Sequence, residues 1–87
     1  MTTLKKSQSS IEKYVIDQAK KKRLQKGCSQ KRLAHLLKVT PGFIGNVENP
    51  KYRAKYNQNH INNLAKIFKC SPRQFFPPDS LLQDIQD

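Results

Sequence analysis

Four polar residues suited to capping a helix, Ser29, Thr40, Asn57 and Ser71, each stand between two packing residues. The residue before the cap and the residue four after it are Cys28 and Leu33, Val39 and Ile44, Tyr56 and Ile61, Cys70 and Phe75. A cap oxygen satisfies one of the orphan backbone N–H groups of the first turn. The pair packed across the cap, a hydrophobic staple, fixes the angle at which the chain enters the helix. Four such starts along one short chain constrain it to a set of short helices. A fifth start, Ser9 with Glu12, has the spacing of a capping box, and Ser71 with Gln74 repeats that spacing. Pro41 and Pro72 each fall at a first helical position, where a missing N–H costs nothing. Apolar spacing is helical throughout, and no stretch alternates with a period of two for long enough to make a strand. The sequence therefore predicts an all-α chain with five helices, at about 9–26, 30–37, 41–48, 58–68 and 72–76. Gly27 is placed to close the first in a left-handed conformation, and Pro50 bars continuation of the third. Residues 1–8 read as a disordered polar tail, 9–76 as one domain, and 77–87 as a Pro-Pro boundary followed by an acidic tail.

With 87 residues the chain has a modest core and little volume for an enclosed active site. No Ser/His/Asp, Cys/His or paired-carboxylate constellation and no Gly-rich phosphate loop is present, so an enzyme is not expected. Cys28 and Cys70 form no CxxC, and with His35 and His60 they make no metal spacing. Both thiols are expected to be reduced and apart, each packing as a staple. The two histidines are expected at the surface or loosely packed, and no metal or cofactor is expected. No stretch approaches the length of a membrane span, and residues 1–10 lack the apolar core of a secretory signal. A cytoplasmic chain is expected.

The charge narrows the partners. The net charge is +11, and from Gln18 to Pro78 there are fourteen basic residues against one acid, Glu48. Three of the six acids, Asp79, Asp84 and Asp87, sit in the last nine positions. A body this basic takes a polyanion or tolerates strong self-repulsion, and nucleic acid is the usual partner. A membrane surface or a merely soluble basic protein is the alternative.

The second and third predicted helices are short and joined by the turn Lys38-Val39-Thr40, a helix-turn-helix arrangement whose second member enters the DNA major groove. On the third helix Ile44, Val47 and Glu48 share one face and Gly42, Gly45, Asn46 and Asn49 the other. Glu48 thus rides inward, and a buried carboxylate requires a cation.

Over residues 14–76 the chain resembles the phage-repressor or Xre-type (Cro-like) helix-turn-helix family. The resemblance rests on Arg23, Gly27, Ser29-Gln30, Leu33-Ala34, Val39-Thr40, Ile44, Glu48-Asn49, Leu64-Ala65 and the stretch from Cys70 to Phe76. It implies a five-helix lambda-repressor-like domain that binds duplex DNA and regulates transcription, as a homodimer associated with the nucleoid. The dimer surface it implies is the fifth helix and the loop before the fourth. Gln30 then holds the DNA backbone and in some relatives a base edge, and Thr40 caps the recognition helix. Pro41, Gly42, Gly45 and Asn46 face the bases, and Lys51, Arg53 and Lys55 meet phosphates. Arg23 is the implied partner of Glu48. Lys31 and Arg32 also suit phosphates, and Phe43 either touches a thymine methyl or sugar or packs on the core.

Four departures stand out. Lys38 occupies a turn position where the family usually has Gly, which predicts a positive φ there. Pro50 replaces a Gly, and the basic loop from Asn49 to Tyr56 is longer than in compact relatives. The outward face carries no long polar side chain beyond Asn46, which predicts a shallow base code led by backbone charge. The alternatives are an antitoxin that binds operator DNA and a protein together, a basic RNA-binding domain using Tyr52 and Tyr56, and a protein-interaction module. For the last, Leu81, Leu82 and Ile85 form a docking stripe in the C-terminal segment.

Overall fold

The structure is a computed structural model and describes residues 8–81. The element order is α1 (Ser10–Gln25), α2 (Gln30–Leu37), α3 (Pro41–Val47), α4 (Gln58–Phe68) and a 3-10 turn (Pro72–Phe75), with no strand among the described residues. The predicted tail before residue 8 and the docking residues Leu82 and Ile85 lie outside the described residues.

Every predicted start is capped by the predicted residue. Ser9 accepts from Glu12 N–H while the Glu12 carboxylate accepts from Ser9 N–H, a complete capping box. Ser29, Thr40 and Asn57 each accept from the backbone N–H three residues on. A cap of this kind contributes about 0.5–2 kcal/mol. The staple partners do what the pattern requires. Leu33, Ile44, Tyr56, Ile61 and Phe75 are buried, and Cys28, Val39 and Cys70 pack half-buried against them. Both cysteines are free thiols.

The core lies where α1 offers Val15, Ile16 and Ala19, α2 offers Leu33, Ala34 and Leu37, and α4 offers Ile61, Leu64, Ala65 and Phe68. Ile44 and Val47 of α3 close it from one side and Phe75 from the other. The 3-10 turn rests on α1 and α4. There Lys22 Nζ reaches Gln74 Oε1 at 3.2 Å and lies 5.9 Å from the Phe75 ring centre.

Four local expectations change. The fifth helix is a four-residue 3-10 turn, because the chain must become extended ahead of Pro77-Pro78. Its second capping box does not form: Ser71 Oγ accepts from Arg73 N–H at 3.4 Å, and the Gln74 side chain turns to Lys22 instead. Helix α3 ends at Val47, with Glu48 as its C-cap. Gln8, which the sequence assigned to the tail, is held by the body. Its amide donates to Val47 O at 3.2 Å and Ala54 O at 2.8 Å.

Positive φ occurs at Gly27 (64°), as predicted, and at Lys38 (62°), also as predicted. Lys69 (56°), which closes α4, was not foreseen. A left-handed non-glycine residue costs roughly 1–2 kcal/mol, partly offset by a cation at a helix C-terminus. Lys38→Gly is expected to be neutral or to stabilise the fold by about 0.4–1 kcal/mol. A lowered melting temperature for that variant would count against strain at this turn.

Candidate nucleic-acid interface

The turn closed by Lys38 and the cap at Thr40 set the direction of α3. Thr40 Oγ1 accepts from Phe43 N–H at 3.1 Å, and Val39 N–H returns to Ala34 O at 3.0 Å. With Ile44 and Val47 buried beneath it, α3 presents Pro41, Gly42 and Asn46 outward. Gly45 is half-buried against α2, where a Cβ would meet Gln30 Oε1 at 3.6 Å. Phe43 turns to the core side: its ring lies 5.1 Å from His60 and 6.1 Å from Tyr56.

The inward acid is paired as expected. Arg23 Nε donates to Glu48 Oε2 at 2.9 Å and Nη2 to Oε1 at 2.8 Å, while Nη1 donates to Cys28 O at 2.7 Å. The two side chains are 8% and 3% exposed, so the pair is dry and bidentate. The hydrogen bonds it donates to Glu48 hold the Arg23 guanidinium above its ordinary value. Gln30 Nε2 joins from α2, donating to Glu48 Oε1 at 2.9 Å. One carboxylate therefore ties α1, α2 and the end of α3 together. Gln30, expected at the DNA backbone, is exposed but has its amide oriented by Glu48. The Tyr56 hydroxyl is buried nearby with no hydrogen-bond partner among the described residues, and burial and then Glu48 push its pKa up.

The basic loop is anchored at both ends. Asn49, expected on the reading face, instead shapes the loop: its Oδ1 accepts from Lys51 N–H at 3.0 Å. Tyr56 plugs the far end, 7% exposed. Between them Lys51 and Arg53 are exposed and pair with no carboxylate among the described residues, whereas Lys55 reaches Glu12 at 3.0 Å. Lys31 and Arg32 are exposed on α2.

His60 is not a loose surface residue. It completes a capping box for α4, accepting Asn57 N–H on Nδ1 at 3.0 Å while Asn57 Oδ1 accepts from His60 N–H at 2.8 Å. Sequence reading missed this because the usual partner in such a box is Glu or Gln. Protonation would place a hydrogen on Nδ1 and remove the acceptor. Burial holds the imidazole below its ordinary 6.5, so the folded state resists a proton that the unfolded chain takes. Stability from this group is complete above pH 6.5 and is lost as the pH falls from there through the lower folded value. Glu12, lowered chiefly by the Ser9 N–H, acts in a separate window below 4.5. We expect His60→Gln, which keeps the box, to flatten the loss of melting temperature just below pH 6.5; parallel profiles for the two proteins would refute this role.

No family model and no curated protein matches the sequence. Solved structures do. The restriction-modification controller protein C.AhdI from Aeromonas hydrophila is 27% identical, with a TM-score of 0.63 over 72% of this chain and 92% of its own. This chain shares its helix-turn-helix fold, of the Xre/Cro-like kind, with that controller protein. Hydroxypropylphosphonic acid epoxidase from S. wedmorenis also aligns, at 22% identity and a TM-score of 0.67 over 79% of this chain. Its complex with fosfomycin aligns at 21% and 0.67 over 80%. The helix-turn-helix domain spans only 36% of that enzyme's length, and the likeness is one of fold.

Within the domain, Arg23, Gln30, Gly45 and Glu48 come together as one contact set, with Thr40 fixing the helix that carries Gly42, Gly45 and Asn46. Lys51 and Arg53 extend from the anchored loop, while Lys55 is drawn back to α1. No helix of the described residues is long and apolar enough to cross a membrane.

Proposed function

We propose that the domain binds duplex DNA and regulates transcription, with α3 in the major groove, Lys51, Arg53 and Lys31 on phosphates, and no catalytic step. The observation that carries this reading is the outward face of α3. Exposed Gly42 and Asn46 allow close backbone approach to base edges, and the exposed Lys31, Lys51 and Arg53 nearby in sequence have no ion-pair partner among the described residues. Major-groove discrimination by Asn is directed to adenine N6 and N7 and is worth about 1–3 kcal/mol. Two copies related by a two-fold axis would read two half-sites, with the exposed Phe76 beside the 3-10 turn as a contact between them.

An RNA reading draws on exposed aromatic rings for stacking. Here Tyr52 is 48% exposed, but Tyr56 is buried in the core, so the loop offers one ring rather than a pair.

Selection from a pool of randomised duplexes tests the proposal. A short site with a shallow preference is expected, and Asn46→Ala should relax the preference at one base pair by about 1–3 kcal/mol while leaving the others. Enrichment of structured RNA over duplex DNA in competition would defeat it.

A further inference from the structure

Away from α3, the surface between α2, the end of α1 and the C-terminal half of α4 holds two adjoining depressions of about 280 and 250 Å³. They share two apolar side chains, Leu36, which is 38% exposed, and the half-buried Ile67. Around them stand four cations: Lys26 and Arg32 at the first depression, Lys38 and Lys66 at the second. None of the four has an ion-pair partner among the described residues, and no acid lines either depression. An apolar floor inside a cationic rim suits an acidic segment with two or three aliphatic side chains.

The chain contains one such segment. Its last residues, Leu81-Leu-Gln-Asp-Ile-Gln-Asp87, carry aliphatic residues at 81, 82 and 85 and acids at 84 and 87. Elsewhere the sequence has acids only at Glu12, Asp17, Glu48 and Asp79. Of these, Glu12, Asp17 and Glu48 are engaged with Lys55, Lys13 and Arg23. The segment also starts near enough. The 3-10 turn is fastened to Lys22, one helical turn or about 6 Å along α1 from Lys26. The twelve residues after Phe75 measure up to about 40 Å.

We propose that the C-terminal segment of this chain docks in cis on the α2–α4 groove, with Leu82 and Ile85 over Leu36 and Ile67 and with Asp84 and Asp87 among the four cations. This docking is independent of the DNA reading, and it covers the exposed Leu36 and the half-buried Ile67. It also places carboxylates over part of the positive body.

Cys28 lines the first depression and Cys70 lines neither, so the two thiols report on the groove and on the fold. The test is the rate of alkylation of each by N-ethylmaleimide, followed by mass spectrometry, in the full chain and in its Leu82→Asn/Ile85→Asn variant. A segment docked about four-fifths of the time slows Cys28 about fivefold. The expected result is that gain at Cys28 alone in the variant, reproduced in the full chain by high salt. Equal rates in the two proteins would overturn the proposal, and so would equal acceleration at both thiols, which marks a loosened fold. Protection of Cys28 that rises with protein concentration would overturn the cis arrangement in favour of a second copy's segment.

Discussion

Glu48→Ala is expected to cost about 3–5 kcal/mol, because it strands the Arg23 guanidinium in a site that is 8% exposed. For a domain of this size each kcal/mol lowers the melting temperature by roughly 4–8 °C, so the variant should melt tens of degrees lower or fail to fold. Arg23→Ala should cost a similar amount for the mirror reason, leaving a carboxylate whose only remaining side-chain donor is Gln30. The joint variant Arg23→Met/Glu48→Leu removes both charges together and should recover much of the loss. A thermal or urea double-mutant cycle checks this, and additive single-mutant effects would mean that the two groups do not depend on each other. The expected damage extends beyond stability. Glu48 also orients Gln30, so a partial variant that still folds should lose order at the junction of α2 and α3.

The second large effect is on salt dependence. If the cations flanking α3 meet phosphates, log affinity for duplex DNA falls with log salt at roughly −0.9 per phosphate neutralised. With six to ten such contacts in a dimer, affinity drops about 10³–10⁵ between 50 and 200 mM salt. Lys51→Ala and Arg53→Ala should each weaken all sequences alike and flatten the slope by about one per contact removed. Lys55→Ala should do less to the slope, because that ammonium already faces Glu12. Fluorescence anisotropy across a salt series distinguishes the three. A slope that ignores Lys51 and Arg53 would take the basic loop off the DNA.

Much of this architecture can be read along the chain because caps, staples and terminators act within five residues. Ser29 needs only the N–H of Arg32, and Val39 needs only Ile44 one turn away. The buried pair was legible for a different reason: Glu48, inward and the one acid between Gln18 and Pro78, must find a cation, and the family resemblance supplied Arg23. What escaped were contacts without a period. Gln8 reaches across 39 and 46 residues to two carbonyls, and no spacing rule connects those positions. Lys55 looked like its neighbours Lys51 and Arg53 until folding brought Glu12 beside it. Asn49 has the right phase for the outer face of α3, but the helix stops two residues earlier and its side chain serves the loop. The fifth helix failed on length: four residues before an extended Phe76 cannot close an α-helical turn, whatever the quality of the cap.

The two hydrogen bonds of Gln8 have a practical consequence for how the protein is handled. They fix Gln8 to the end of α3 and to the basic loop. Gln8 itself therefore lies against Val47 and Ala54, next to the loop that carries Lys51 and Arg53. A bulky or charged substitution at Gln8 would act at the edge of the proposed nucleic-acid face and enter the measured affinity. The chain also passes Val47 before α1 begins, so a change that displaces the Gln8 amide frees one carbonyl at the end of α3 and one in the basic loop. Labels for binding work belong instead on the exposed flank of α1 near Lys20 and Lys21, which carries none of the hydrogen bonds at the site.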